Sequence, residues 1–262
     1  MLNDILASAP RFLLIAIRAL AMIETAPLIS SASNPQVAKV ALAGFAAFAA
    51  FPGVPSNFAV PEQTTVTFIF LAVGEALIGV IIGFYLTIIY SAFTSAGQFF
   101  SLQMGFGASE TFDPLSQIEN PLMGQYLNLV AMLVFLSLGG FQQLFIGGFQ
   151  RSLSAINAIS LVQARTGVLH LLLSGLSELF VDALVISMPI LGTLFLISLS
   201  IGLLSKAAPQ MNLLTEGFPI SITVAFALIL ATMPFLVEAF ARVVDTSFVQ
   251  LSDFYGKLGG IK

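Results

Sequence analysis

The stretch Gly97–Gly124 reads GQFFSLQMGFGASETFDPLSQIENPLMG and lies between two long apolar runs. Gly97, Gly105, Gly107 and Gly124 give it backbone freedom, Phe99, Phe100, Met104, Phe106 and Phe112 give it bulk, and Asp113-Pro114 and Asn120-Pro121 stop a continuous helix. This composition predicts an irregular loop that is poorly suited to hanging in water. At membrane depth, irregular backbone is tolerated only where protein or a water-filled cavity satisfies its N–H and C=O groups, because lipid cannot. The stretch therefore reads as packed into something.

The chain around it carries 58% hydrophobic and 8% charged residues, with a mean hydropathy of +1.01. A soluble domain carries about 25% charged residues, so the composition predicts an integral membrane protein. With no cysteine, neither a disulfide framework nor a thiolate metal site can form. The 9 Lys and Arg and 13 Asp and Glu leave a net charge of -4 without a basic cluster, which speaks against nucleic acid as a partner. Asp4 precedes any cation, and Arg11 and Arg18 sit within the first apolar run, unlike a signal peptide; the N-terminus reads as retained.

Two motifs carry a resemblance to a known family. QMGFGASETFDP followed by NPLMG, and GLLSKAAPQMNLLTEGFPISI from Gly202 to Ile222, resemble the FliR family of type III export gate proteins, with relatives in injectisomes. The likeness runs over nearly the whole chain, and the two motifs look flagellar. It implies a subunit of a flagellar secretion channel in which Met104, Gly105, Phe106, Gly107, Phe112, Asp113 and Pro114 belong to a loop that plugs the lumen. It further implies a second motif turn carrying Pro209, Gln210, Asn212, Gly217, Phe218 and Pro219. The implied partners are FliP-family and FliQ-family subunits, joined in a pseudo-helical ring, an FlhB-family subunit, exported unfolded chains and membrane lipid. The implied location is the bacterial inner membrane at the flagellar basal body. The family further suggests one membrane domain over 1–262, with a FliP-like part over 1–150 that includes the loop 97–124, and a FliQ-like helical hairpin over 151–262.

Read from the residues alone, the fold is all-α. Apolar runs near 12–32, 37–57, 66–93, 122–149, 168–203 and 218–250 predict about six long, partly broken helices forming hairpins, against a bilayer core that needs about 20 helical residues. The fourth run has no charge and reads as the most conventional span. The fifth, with Glu178, Asp182 and Pro189 inside it, is long enough to predict a broken helix or helical hairpin. Intramembrane charges cost about 2.5–3.5 kcal/mol each on insertion scales, so Arg18, Glu24, Lys39, Glu75, Glu178, Asp182 and Lys206 are expected to face protein or water and to serve assembly. Glu75 is the sole charge between Gln63 and Ser109, which predicts a protonated or paired carboxylate, and replacement by Gln is expected to preserve function if that carboxylate only packs. Gly79 and Gly83 form a G-x-x-x-G spacing that permits close helix contact.

No nucleophile, metal-ligand or phosphate-loop motif is present and His170 is the sole histidine, so no enzyme activity and no cofactor are expected. An ion-coupled secondary transporter is the rival reading, because Arg18, Glu75, Glu178 and Asp182 could line an ion path; the halves of the chain show no matching repeat. Cations near the run ends, Arg151, Arg165, Lys257 and Lys262 against Lys39 and Lys206, predict a cytoplasmic C-terminus.

Overall fold

The structure, a computed structural model, describes residues 2–27, 29–30, 34–54, 58, 65–105, 122–207 and 213–259. Among these every regular element is helical: α1 (Leu2–Thr25), α2 (Gln36–Ala50, followed by a 3-10 turn at Phe51–Gly53), α3 (Thr65–Met104), α4 (Leu122–Ser137), α5 (Gly140–Ala155), α6 (Arg165–Ala207) and α7 (Leu213–Gly259). The six apolar runs thus become six helical stretches when α4 and α5 are taken together. Among the described residues four helices are long and apolar enough to cross a membrane, over 36–53, 65–104, 165–206 and 219–258, and a fifth span follows if α4 and α5 make one crossing. α1, which carries Asp4, Arg11, Arg18 and Glu24, is not among these spans. The chain is an all-α integral membrane protein.

Two compact units are formed. The first comprises 1–89, 136–176 and 244–262, the second 90–135 and 177–243. In the first, α1 packs on α3 along a stripe of i+4 spacing: Glu75, Gly79, Gly83 and Thr87. A side chain at Gly79 would collide with the backbone of Arg18 and with Ala21, and one at Gly83 with Thr25 and the Met22 carbonyl. The two glycines therefore let the helix axes approach, as their spacing predicted. One turn further on, Thr87 donates to the Thr25 carbonyl at 2.8 Å, satisfying a backbone acceptor at the C-terminus of α1. On another face of α3, the Tyr85 hydroxyl donates to Gln250 Oε1 of α7 at 2.9 Å.

In the second unit the core is aromatic. Phe93 lies 4.4 Å from Phe240 between ring centroids, and Tyr90 packs edge-on against Phe93 and Phe135. Phe100, Met104 and Leu127 of the same unit are fully buried.

Four expectations change. The opening of the central stretch is helical, since α3 continues through Met104 and α4 begins at Leu122. Gly97 serves proximity instead of freedom: a Cβ there would lie 2.6 Å from the Cα and N of Gly124, so the backbones of α3 and α4 touch at this pair. The helix ends at Met104, and the next residue, Gly105, takes φ +94°, a left-handed conformation natural to glycine at a helix C-terminus. The fifth run is one continuous helix of 43 residues with Pro189 inside, not a broken one. Proline removes a single N–H from the ladder, and in apolar surroundings the helix remains the one conformation that satisfies the rest of the backbone internally. At 1.5 Å per residue such a helix is about 65 Å long, roughly twice a bilayer's hydrocarbon core. The fourth run, read as the most conventional span, is interrupted at Gly139 (φ +67°) and continues in π-helical geometry over Gln143–Gln150.

Candidate functional site

The first unit holds a fully buried ion pair. Arg18 has no exposed surface and Glu75 is 2% exposed. Arg18 Nε and Nη2 both reach Glu75 Oε2, at 2.6 and 2.5 Å. The guanidinium then uses its remaining donors on α5 and the turn behind it: Nη1 donates to Ser152 Oγ at 3.0 Å and Nη2 to the Ile156 carbonyl at 2.8 Å. Its plane lies against the Phe58 ring, 5.7 Å from the centroid. Ser152 in turn donates to the Phe149 carbonyl at 2.6 Å. The other carboxylate oxygen, Glu75 Oε1, accepts the Ala158 N–H at 3.0 Å.

Local sequence explains this convergence. Glu75 follows Gly74, and a Cβ on Gly74 would lie 2.6 Å from the Ala158 Cβ, so glycine is what lets the turn after α5 sit on α3 beside the carboxylate. That turn is stabilised from within by a reciprocal pair: Ser160 N–H donates to Asn157 Oδ1 at 2.7 Å, and Asn157 N–H to Ser160 Oγ at 2.9 Å. Taking two ions out of water costs several kcal/mol per ion, which is offset only when geometry is good and every remaining donor and acceptor is met. Here four of the five Arg18 N–H groups and both carboxylate oxygens have partners, supplied in part by α5 and its turn. A cavity of about 90 Å³, lined by Leu14, Phe58, Leu71, Glu75, Asn157, Ala158 and Ile159, lies alongside.

Gln at position 75 no longer reads as a conservative change. Both oxygens of Glu75 face donors, and an amide offers one acceptor and one NH₂. Whichever way it turned, donor would face donor, and the Arg18 charge would be left buried without a counter-ion.

A second pair is looser. Lys39 Nζ, 3% exposed, reaches Glu24 Oε2 at 3.1 Å and the Ser30 carbonyl at 3.1 Å, while Glu24 remains 35% exposed. It fastens α2 to the C-terminal end of α1. The other expected charges belong to the second unit: Glu178 and Asp182 are half-buried one turn apart on α6, and Lys206 is exposed.

Of the central stretch, Met104 is fully buried and Gly105 closes α3; Phe106, Gly107, Phe112, Asp113 and Pro114 lie outside the described residues. So do Pro209, Gln210 and Asn212 of the second motif. Gly217 is buried within α7 near Ile201 of α6, and Phe218 and Pro219 continue that helix. The residues that sequence reasoning did not single out are Ser152, Ile156 and Ala158, two of which act through backbone groups, and Gly74, whose place next to Glu75 was the available signal.

Residues 9–247 match the family described as Bacterial export proteins, family 1. The chain is 30% identical over 253 residues to the flagellar biosynthetic protein FliR of Escherichia coli (strain K12), covering 92% of this chain and 91% of that protein. It is 34% identical over 195 residues to the protein of the same name in Borreliella burgdorferi (strain ATCC 35210 / DSM 4680 / CIP 102532 / B31), covering 74% and 72%. To the FliR protein of Bacillus subtilis (strain 168) it is 28% identical over 239 residues, covering 88% and 89%. With a family match across nine-tenths of its length and relatives of one name covering most of theirs, the chain belongs to the FliR family of bacterial export proteins.

Proposed function

We propose that this protein is a subunit of the flagellar type III protein export gate in the bacterial inner membrane, and that the segment from Met104 to Pro114 closes the lumen of its channel. The observation that carries the first half is the family match over residues 9–247. Support for the second half is chemical. A pore for unfolded chains must hold ions back when idle, and soft apolar side chains such as Met104, Phe106 and Phe112 can exclude water as hydrophobic gates do. The Gly97–Gly124 contact supports it too, because it gives the segment between α3 and α4 a fixed base.

In this reading the chain is a single copy that completes a pseudo-helical ring of FliP-family and FliQ-family subunits, with an FlhB-family subunit near its closed end. Residues 1–150 correspond to the FliP-like part and 151–262 to the FliQ-like hairpin, and the C-terminus is cytoplasmic. The large apolar side chains left exposed on the helices, among them Phe45, Phe48, Phe70 and Leu230, each 73% exposed, give such neighbours or lipid a surface to cover.

The test is conductance. Phe106→Ala with Phe112→Ala, or deletion of Gly105 to Ser109, is expected to give an assembled complex with raised ion conductance in planar bilayers and ion-sensitive growth of cells. Leu129→Ala with Leu133→Ala, on the exposed face of α4, is the matched control and is expected to conduct as wild type does. Equal conductance in both sets removes the plug; loss of assembly in the loop variants alone means that these aromatics pack the subunit.

A further inference from the structure

At Ile156 the chain leaves helical geometry for an extended conformation, φ -142° and ψ 136°. Its polar backbone groups there can no longer be met by a helix ladder, and in a membrane protein other protein groups must meet them. Arg18 and Glu75 do so with fixed polarity. The Ile156 carbonyl accepts from Arg18 Nη2, and the Ala158 N–H donates to Glu75 Oε1. The Ser152 hydroxyl, already donating to Phe149, is oriented to accept from Arg18 Nη1. A donor group is therefore required at position 18 and an acceptor group at position 75, independently of the attraction between their charges.

We infer that Arg18 and Glu75 form an oriented clamp on the 156–158 backbone, acting as positioning residues for the chain's passage from α5 to α6. This goes beyond charge pairing, and the two ideas separate cleanly. A plain ion pair is symmetric, so exchanging its members restores neutrality at the same place. The clamp is not symmetric: Arg18→Glu combined with Glu75→Arg sets a carboxylate against the Ile156 carbonyl and a guanidinium against the Ala158 N–H. Arg18→Lys keeps the charge but loses the planar fork that reaches Glu75, Ser152 and Ile156 together.

Amide hydrogen exchange on the full chain in membranes, resolved at Ala158, tests this. In wild type the Ala158 amide is expected to exchange about 100-fold or more slowly than an unstructured amide, although it lies outside every helix, because its opening requires the clamp to break. Glu75→Ala, Arg18→Lys and the exchanged double variant are each expected to lose that protection. Protection retained in the exchanged double variant overturns the clamp in favour of a plain ion pair. Exchange of the wild-type amide at the unprotected rate overturns it outright, and this measurement stands even if the variants do not accumulate.

Discussion

Glu75→Gln is the substitution whose effect the geometry inverts. It keeps shape and removes one charge, and by sequence alone it is the mildest probe of a buried carboxylate. In the structure it leaves Arg18, with no exposed surface, lacking a counter-ion, and turns one amide N–H toward either Arg18 or the Ala158 N–H. Removing one partner of a buried ion pair costs about 3–5 kcal/mol. The unmet donor belongs to the same desolvation and is not added separately. Against the roughly 5–15 kcal/mol stability of a folded domain, this is a large fraction. At roughly 2–4 °C per kcal/mol for a chain of this size, the melting midpoint should fall by about 6–20 °C. The assay is the loss of the size-exclusion peak of the detergent-extracted protein on heating. Asp182→Asn is the control, since it removes one of two like charges a helical turn apart on α6 and should leave the midpoint within a few degrees. A Glu75→Gln midpoint equal to that of wild type would refute the claim that both carboxylate oxygens are committed to donors.

Other substitutions test the packing. Gly79→Leu places a side chain where Arg18 and Ala21 now lie and should cost about 1–3 kcal/mol or more by forcing α1 from α3, read as a lower melting midpoint; unchanged stability would mean that the helices do not meet there. Lys39→Met should cost about 1 kcal/mol or less, well below Glu75→Gln, because Glu24 is 35% exposed and water can take over its charge; a cost equal to that of Glu75→Gln would show that the outer pair is buried in the native assembly.

How much of this was legible in the sequence depends on the range of each interaction. Helical content, the membrane setting and the glycine contact at Gly79 and Gly83 follow from local composition and spacing, and each reappears in the structure. Arg18 and Glu75 were both marked as charges needing company, yet 57 residues separate them, and spacing within one helix says nothing about which helix lies alongside. The i+4 stripe from Glu75 to Thr87 held that information once α1 was known to be the neighbour. Ile156 and Ala158 were illegible because they act through carbonyl and amide groups that every residue possesses. Gly97 was misread because glycine signals both flexibility and close approach, and only the partner, Gly124, decides between them. The fifth run was read as broken because it is long for a bilayer and holds Glu178, Asp182 and Pro189, whereas an apolar environment keeps the ladder around Pro189 intact.

The central claim is that this chain is one part of an export gate and is completed by other subunits. Native mass spectrometry of the chain co-expressed with FliP-family and FliQ-family subunits and extracted in mild detergent tests it most directly. The account predicts one defined complex containing a single copy of this chain, and poor accumulation or aggregation when the chain is expressed alone. A long-lived, monodisperse monomer that ignores both partners would contradict it.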